Sequence, residues 1–582
     1  MEHPPLSNGE VLKPVPTIIT FSDPEEFRAR HESATKAEFK VQKKRVDDFN
    51  KMQPILQAWV ITAPPAHQPG MGYIIQINFR FEHMENKIDP PGIGQSCEIR
   101  FLGDKGTPSS CCFCQSGAEI INMNETWNDT IEVVAYPTEE DVKVLGDCLA
   151  PLLISGIPTK LPRKSEAESI KVHLQLQASK TTMLAELGAL NRLAKGKASV
   201  AGMNAFNYLM SFSNPRATVD LTAPFPHLAD LGKVPDARLR ETLRDIVAGF
   251  DEDQGRAFSG ITSLPDRICF VPGGPGSGKT WWALTMALLA QSGVEPCRVL
   301  SMVDINKPAD DAVDRFYAMC RKLGVEKSII RVGAWPLEDE EEEVDDNDET
   351  DFIATTPVSE TRLRGACHPH IVIFDECVHS RECSTLISLA HFDPEAWFLS
   401  LKMSTMERAD RNGAVSLQLL VNHRAYGSLE RLASGMFYGG IMRSNRTDDE
   451  LHPPSVEHLR HWLSTTTFDR TSIRVLRSLG TPRLIISHDS ARPSQAGKSC
   501  WNLTHQTLVM GQVNALLRDP DFQQISSDEL GTIMILSPYK AAAKHYQGCL
   551  NKLPTREMKR RVPVRTVDTA QGQEADVVFL DM

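Results

Sequence analysis

The chain has 582 residues, 41% of them hydrophobic, and carries a formal net charge of −12. This length favours several domains, the composition is ordinary for a globular protein, and thirteen scattered cysteines suit reduced thiols in a cytoplasmic or nuclear protein. The lack of any run of eighteen apolar residues argues against a membrane span, and the polar, proline-rich N-terminus argues against secretion.

The negative charge is concentrated in one segment. Residues 338–351 hold eleven acidic side chains and no basic one, so the rest of the chain is nearly neutral. Such a run repels itself, and we predict a disordered acidic insertion there. The overall charge therefore does not argue against a local basic groove for nucleic acid.

The N-terminal part of the sequence changes its pattern twice. We predict a mobile arm over 1–50, which leads into a charged helix at about 36–51. Short alternating segments separated by Gly, Pro and Asn predict a β-rich, barrel-like module over 51–160. Apolar residues at three- and four-residue spacing predict a helical stalk over 161–250, and IKVHLQLQ at 170–177 is interpreted as helix.

Beyond residue 250, apolar strands and helices alternate. Short runs such as HIVIFDE and DVVFLDM are typical of strands buried in a parallel sheet, with helical stretches between them. We therefore expect an α/β fold, with one domain at 251–443 that contains the acidic insertion and a second domain at 444–582.

A phosphate-binding loop is the clearest motif. Residues 273–280 fit G-x-x-x-x-G-K-[ST] without a mismatch, with an apolar strand, ICFV, expected before them and a helix after them. The glycines let backbone N–H groups turn inward around phosphates at a helix N-terminus. Lys279 is expected to reach the β- and γ-phosphates of ATP, and Thr280 to bind Mg²⁺. The predicted nucleotide-binding residues are Gly273, Gly274, Pro275, Gly276, Ser277, Gly278, Lys279 and Thr280.

Two carboxylates supply the other half of this site. The apolar run at 371–374 ends in Asp375 and Glu376, which places both at the carboxyl edge of a sheet, where the phosphate loop also lies. We expect Asp375 to hold Mg²⁺ through its water shell and Glu376 to polarise the attacking water.

Three further segments match motifs of one family. TVDTAQGQEAD at 566–576 matches T-V-D-x-x-Q-G-x-E-x-D, LLVNHR at 419–424 resembles L-x-x-Q-Y-R, and ILSPYK at 535–540 resembles I-I-T-P-Y-R. With the phosphate loop, they make the chain from about 250 to 582 resemble superfamily 1 helicases, in the group that contains the up-frameshift RNA helicase and senataxin. The resemblance implies two RecA-like P-loop domains, the second incomplete, preceded by the β-rich module and the helical stalk.

The resemblance also implies a role for each matching residue. Gln254 reads the adenine ring, Glu574 contacts the nucleotide sugar, and Arg424 is a catalytic residue that meets the γ-phosphate. The residues implied to contact the nucleic-acid strand are Asn306, Thr355, Pro538, Tyr539, Thr566 and Gln571. The implied partner is single-stranded nucleic acid, RNA in preference to DNA, and the implied cofactors are ATP and Mg²⁺.

The chain departs from the family pattern at four places. His379 and Ala396 replace glutamines of the D-E-A-x-Q and G-D-P-x-Q-L motifs, and Ala542 replaces the glutamine that follows P-Y-R-A. The sequence ends at Met582, before the motif that brings a second arginine to the γ-phosphate. Because such an arginine contributes about 10³- to 10⁵-fold in rate, we expect a truncated chain that binds ATP and hydrolyses it slowly.

These patterns predict an ATP-dependent helicase or translocase, an enzyme that couples ATP hydrolysis to movement along a single strand. The alternative is a nucleotide-gated RNA-binding or scaffold protein with a decayed or truncated motor. A P-loop kinase or GTPase is disfavoured, because neither uses the late T-V-D-x-x-Q-G-x-E segment and no guanine-reading N-K-x-D stretch is evident.

Overall fold

The computed structural model divides the chain into two units. The first unit contains residues 1–41 and 180–452, and the second contains residues 42–179 and 453–582. Helices and sheets occur in both, which confirms the mixed α/β class. The structure describes residues 20–52, 55–62, 73–78, 96–102, 108–124, 130–135, 170–178, 180–303, 306–332, 350–356, 368–375, 405–415, 417–466, 473–477, 483–488, 492–496, 499–525, 527, 529–567, 570 and 573–582.

Helix α1 spans Pro24–Met52, so the predicted mobile arm over 1–50 is wrong for this part, and residues 1–19 lie outside the described residues. The helix starts here because the Asp23 carboxylate accepts hydrogen bonds from the N–H groups of Glu25 and Glu26, at 2.9 and 2.8 Å. Pro24 at the first helical position is consistent with this start, because an N–H group at that position has no acceptor within the helix and proline lacks that group.

A closed barrel of six antiparallel strands follows in the second unit, with the strand order β1-β2-β5-β4-β3-β6. The strands are β1 (Ile55–Thr62), β2 (Tyr73–Asn78), β3 (Ser96–Leu102), β4 (Pro108–Asn124), β5 (Thr130–Ala135) and β6 (Ile170–Leu176). Ile75 and Ile77 on β2 are fully buried two residues apart, as expected of side chains that point into a barrel.

The helical interpretation of IKVHLQLQ is wrong, because its first seven residues form strand β6. Val172, Leu174 and Leu176 repeat with a period of two and are buried, whereas His173 and Gln175 between them are only half-buried. This alternation is the pattern of a strand with one face in a core. β6 pairs with β3 and with β1, so the barrel closes beyond residue 160, the expected end of the β-rich module.

The first unit consists mainly of helices around one parallel sheet. Its helices after α1 are α2 (Thr181–Ala194), α3 (Val200–Ser211), α4 (Ala237–Ala248), α5 (Glu252–Gly260), α6 (Lys279–Ala290), α7 (Asn306–Leu323), α8 (Thr405–Arg411), α9 (Glu430–Phe437) and α10 (Asp448–Leu451). Its strands are β7 (Thr218–Val219), β8 (Leu264–Pro265), β9 (Val299–Met302), β10 (Ile329–Val332), β11 (Phe352–Thr355), β12 (Ile371–Phe374), β13 (Val421–Asn422) and β14 (Arg443–Ser444).

The parallel sheet has the strand order β10-β11-β9-β12. Helix α6 packs into the core of this unit, since Ala287, Leu288, Leu289 and Ala290 are fully buried. The predicted acidic insertion lies between strands β10 and β11 in the sequence, and its residues 338–349 lie outside the described part. Its last residue, Asp351, has a fixed place, because its carboxylate accepts a hydrogen bond from the Ser328 N–H at 3.0 Å.

After the barrel, the second unit continues from residue 453 with alternating helices and strands. They are α11 (Pro454–Thr465), β15 (Ile473–Arg477), β16 (Leu484–His488), β17 (Ser494–Ala496), β18 (Ser499–Trp501), α12 (Leu503–Arg518), β19 (Ile533–Ser537), α13 (Lys540–Leu550), α14 (Arg556–Arg560), β20 (Val564–Thr566) and β21 (Val577–Leu580).

Strand β19 is central in a parallel sheet of order β20-β19-β21, as the apolar runs predict. The run RLIISHD behaves differently, because β16 pairs antiparallel with β15 and Ile485 on it is 62% exposed. No helix in the described part of the chain is long and apolar enough to cross a membrane.

Candidate nucleotide site

The phosphate loop ends where helix α6 begins. Gly276 and Gly278 have φ angles of 75° and 76°, a left-handed conformation that favours glycine, and Gly278 is the residue that caps α6. The turn therefore accounts for the two glycines of the G-x-G-K pattern. It brings the start of the helix to the end of the loop, where unpaired N–H groups and the helix dipole favour an anion.

The expected strand before the loop is not regular. The segment 268–271 has no strand assignment, and pairing begins only at the loop, where Leu419 N–H donates to the Pro272 carbonyl at 2.8 Å. Gly274 N–H in turn donates to the Leu419 carbonyl at 3.0 Å. Two backbone hydrogen bonds thus join the start of the phosphate loop to the segment that begins at Leu419.

Two predicted magnesium ligands come together beside the loop. The Thr280 hydroxyl donates a hydrogen bond to Oδ2 of Asp375 at 2.6 Å. Asp375 follows β12 at the carboxyl edge of the sheet, and its N–H donates to the Met302 carbonyl at 3.0 Å. Glu376, the other predicted catalytic carboxylate, lies outside the described residues.

The groups at the loop fit a nucleoside triphosphate with a divalent cation. Lys279 Nζ donates to the carbonyls of Gly273 and Gly274 at 2.9 and 3.3 Å, neutral partners that a phosphate oxygen replaces with a stronger, charge-assisted bond. The Ser277 hydroxyl is buried and has no hydrogen-bond partner among the described residues. Thr280 and Asp375 offer the oxygen ligands that Mg²⁺ prefers.

A segment that we name the strap, residues 419–425, crosses the loop. The Asn422 side-chain amide donates to the Pro275 carbonyl at 2.6 Å, and His423 N–H donates to the Gly276 carbonyl at 2.9 Å. Arg424 follows at once and is exposed. Its Cβ is so near that a methyl group on Gly276 would lie 2.8 Å from it. The strap therefore brings the predicted γ-phosphate arginine beside the loop.

Gln254, the predicted adenine reader, lies against the same loop. It is 2% exposed, and its Oε1 accepts a hydrogen bond from the Asp251 N–H at 3.3 Å in a capping box at the start of α5. Its Nε2 is near Gly278, where an added Cβ would lie 3.2 Å away. The side-chain amide of Gln254 thus has two roles: its oxygen takes part in the cap of α5, and its NH₂ group faces the phosphate loop.

A buried carboxylate joins α5 to the strap. Asp253 is 2% exposed and accepts hydrogen bonds from Leu420 N–H at 2.9 Å and from Arg443 at 3.0 Å, and it also pairs with Arg256. Burial alone raises the pKa of this carboxyl, but the Leu420 N–H and the two arginines outweigh it and leave the pKa below its usual value. Asp253 is therefore charged at neutral pH.

Two predicted strand contacts, Thr355 and Asn306, lie in the first unit. Thr355 is fully buried at the end of β11, and its hydroxyl donates to the Val332 carbonyl at 3.1 Å. In this arrangement the Thr355 side chain does not reach the surface. Asn306 begins α7, and its side chain lies outside the described part.

The remaining predicted residues lie in the second unit. Ser537 pairs with Thr566, so Pro538, Tyr539 and Thr566 share the carboxyl edge of the parallel sheet; we name these three residues the strand edge. Pro538 and Tyr539 are exposed, and a hydrogen bond with the Cys500 thiol raises the pKa of Tyr539. Glu574 is exposed, three residues before β21, and Gln571 lies outside the described residues.

Several residues that organise the site were missed by sequence reasoning. Asp253 is one, and Asp251 is another, because its carboxylate meets His423 Nε2 at 2.7 Å as well as capping α5. The D-x-x-Q spacing before a helix is a capping-box signal that identifies Asp251 as a cap. No sequence pattern indicates the contact of Asp253 with Leu420 or of Asn422 with Pro275, because these partners are 167 and 147 residues away.

With this geometry established, comparisons with known proteins indicate the class of the site. Residues 401–582 match a family model described as an AAA domain. No curated protein matches the chain. The match indicates a P-loop nucleotide hydrolase of the kind that generally binds ATP with Mg²⁺, and it contains the strap and the strand edge. The phosphate loop itself lies upstream of the matched residues, so motif and match are separate indications of the same class.

Proposed function

We propose that the chain is an ATP-dependent helicase or translocase of the superfamily 1 type, acting on single-stranded nucleic acid, RNA in preference to DNA. The main support is the meeting of three elements at the phosphate loop: the loop itself, the Thr280–Asp375 pair and the strap with Arg424. The proposal includes two RecA-like domains, at 251–443 and 444–582, and a cytoplasmic or nuclear location.

Nucleotide binding is assigned to groups that already touch one another. Lys279 leaves the carbonyls of Gly273 and Gly274 and binds the β- and γ-phosphate oxygens. Thr280 and Asp375 would hold the Mg²⁺ that accompanies the nucleotide. The bound cation supplies neutralisation of phosphate charge. Gln254, beside the loop, is assigned the adenine contact. The sugar contact of Glu574 stays a prediction from the family resemblance.

Hydrolysis is assigned to the side chains that flank the terminal phosphate. Glu376, next to Asp375, accepts a proton from the attacking water. Arg424 neutralises the charge that develops on the γ-phosphoryl oxygens, as an arginine finger supplied by the same chain does. Its exposure and its position next to Gly276 suit this task, since the guanidinium is not held in a core.

The single strand is assigned to the strand edge with Gln571, and in the first unit to Asn306. Thr355 is left out of the proposed contacts, because its side chain is fully buried. Tyr539 offers an exposed ring on which a base can stack, a contact that does not depend on sequence. Coupling requires that ATP binding changes the affinity for the strand, and the strap is the segment proposed to respond to ATP.

A second candidate, a nucleotide-gated RNA-binding protein without a working motor, is supported by Ala542. This residue replaces a family glutamine, is 3% exposed and packs in the core of the second unit. An apolar side chain in that place offers no hydrogen bond to either nucleotide or strand.

Steady-state ATP hydrolysis with and without single-stranded RNA distinguishes the two candidates, with Lys279→Ala as the blank. We expect turnover above the blank that rises when RNA is added. ATP binding that depends on Lys279, without turnover, would favour the second candidate. Absence of Lys279-dependent binding would contradict both.

A further inference from the structure

Asn422 occupies the point where the strap and the phosphate loop meet. It is 3% exposed on β13, and its side-chain amide makes three hydrogen bonds. Nδ2 donates to the Pro275 carbonyl at 2.6 Å, and Oδ1 accepts from the N–H groups of Arg424 and Ala425 at 3.0 and 2.7 Å. One planar group thus connects the loop to the backbone of the candidate γ-phosphate arginine.

The orientation of this amide is fixed by its partners. A flipped amide would set its NH₂ group against two N–H donors and its oxygen against a carbonyl, which removes all three hydrogen bonds. Only an acceptor on one side and a donor on the other satisfies the site. Neither aspartate, which has no donor, nor leucine, which has neither group, can replace the amide.

The surrounding backbone leaves this connection little freedom. An added methyl group on Gly276 would lie 2.6 Å from Asn422 Nδ2 and 2.8 Å from Arg424 Cβ. His423 N–H also donates to the Gly276 carbonyl at 2.9 Å. A displacement of the loop at Pro275 and Gly276 is therefore transmitted to the strap, and the amide of Asn422 is the side chain through which it reaches the Arg424 backbone.

We infer that Asn422 is a positioning residue that fixes the Arg424 backbone relative to the phosphate loop, so that the Arg424 side chain can contact the γ-phosphate. The inference rests on the proposed function, since it assumes that the loop binds ATP. Asn422 itself touches loop and strap backbone, so its effect is on Arg424 and not on the nucleotide directly. ADP, which lacks the γ-phosphate, is the natural reference ligand.

Binding of ADP and of a non-hydrolysable ATP analogue tests this without requiring turnover. The variants are Asn422→Asp, which keeps the acceptor and loses the donor to Pro275, Arg424→Ala, and the double variant. Asn514→Asp is a matched control in the other unit, because it removes an amide that donates to the Met510 carbonyl at 2.8 Å. Asn422→Ser, which retains a short acceptor, serves as a second variant if the aspartate variant is unstable.

We expect Asn422→Asp to reduce the preference for the ATP analogue over ADP by about tenfold. This is the scale of one charge-assisted hydrogen bond, here the bond from Arg424 to the γ-phosphate. ADP affinity should stay within about twofold, and the double variant should equal Arg424→Ala, because both changes remove one interaction. The control should change neither ligand.

Three results would overturn the inference. They are an equal fall in affinity for both ligands, an effect in the double variant equal to the sum of the single effects, or a wild-type protein with no preference between the ligands. If the wild-type protein binds neither ligand in a Lys279-dependent way, the proposed function fails as well. These outcomes distinguish an error about Asn422 from an error about ATP.

Discussion

Around the phosphate loop, Asp253 and Gln254 are 2% exposed and Asn422 is 3% exposed, and all three are hydrogen-bonded to backbone groups. At the strand edge, Tyr539 is 38% exposed and Pro538 lies on the surface beside it. In the first region, buried side chains hold the backbone through hydrogen bonds, whereas the second offers an exposed aromatic ring. The two regions therefore differ in how much of their geometry is fixed by the fold.

This difference suits two kinds of ligand. A triphosphate is recognised by donors whose positions are set in advance, because reorienting them on binding costs free energy. A single strand without sequence preference is bound by stacking and by charge, and both tolerate motion. We therefore expect substitutions at the loop to have larger and more specific effects than substitutions at the strand edge.

The largest expected effect is that of Lys279→Ala. Removing this ammonium group should lower ATP affinity about 100-fold, since a charged partner of the phosphates is lost. Affinity for single-stranded RNA without nucleotide should stay within about twofold, because Lys279 bonds only to loop carbonyls here. Titration of labelled ATP and of labelled RNA measures both effects.

Lys233→Ala is the control for that experiment, because Lys233 is an exposed lysine in a short 3₁₀ turn of the same unit, Leu231–Lys233. It should change neither affinity. If Lys279→Ala weakened RNA binding as strongly as ATP binding, the two regions would not be separable and the comparison would fail.

Some features of the nucleotide site could be predicted from the sequence and others could not. The phosphate loop could be predicted because its glycine turn and helix start are local. Thr280 and Asp375 are far apart in sequence, but each lies where a strand or loop ends at the carboxyl edge of one sheet, so their meeting could be predicted as well. The contacts of Asp253 with Leu420 and of Asn422 with Pro275 could not be predicted, because no pattern around either residue indicates its distant partner. The helix predicted at 170–177 is wrong because a short apolar run fits both the helical and the strand spacing, and only the burial in the structure shows the period of two.

Asp253→Asn should be the next largest change. It keeps an acceptor for the Leu420 N–H but loses the charge that meets Arg443 and Arg256, which should cost about 2 kcal/mol, or about 30-fold in local opening. Hydrogen exchange of the Leu420 amide measures it. Glu241→Gln, at an exposed carboxylate whose side chain is 70% exposed, should leave that exchange rate unchanged.

The effect of Asp253→Asn should also depend on pH. The folded protein holds the Asp253 pKa below the value of 3.8 that an unperturbed aspartate has. Its contribution is therefore complete above about pH 4 and is lost as the pH falls through the folded pKa. The difference between wild type and variant should shrink below pH 4. A difference that stays constant down to pH 2 would mean that the charge of Asp253 is not what joins α5 to the strap.

Thr280→Val tests the predicted magnesium ligands at nearly constant shape. The hydroxyl that donates to Asp375 is replaced by a methyl group, so we expect the Mg²⁺ concentration needed for half-maximal ATP binding to rise about 20-fold. ATP binding without Mg²⁺ should change little. Thr262→Val is a suitable control, because the Thr262 hydroxyl donates only to the Ser259 carbonyl. An unchanged Mg²⁺ requirement in Thr280→Val would remove Thr280 from the ligand set.

The smallest expected effect is at the strand edge, where Tyr539→Ala should weaken RNA binding about tenfold, the scale of one stacked base. Tyr539→Phe keeps the ring and loses only the hydroxyl bonded to Cys500, so it should bind nearly as wild type does. Tyr317→Ala is the control, at a ring that is 59% exposed on α7. ATP affinity without RNA should be the same in all three. If Tyr539→Phe were as weak as Tyr539→Ala, the hydroxyl and not the ring face would contact the strand, and the open edge would be as specifically organised as the phosphate loop.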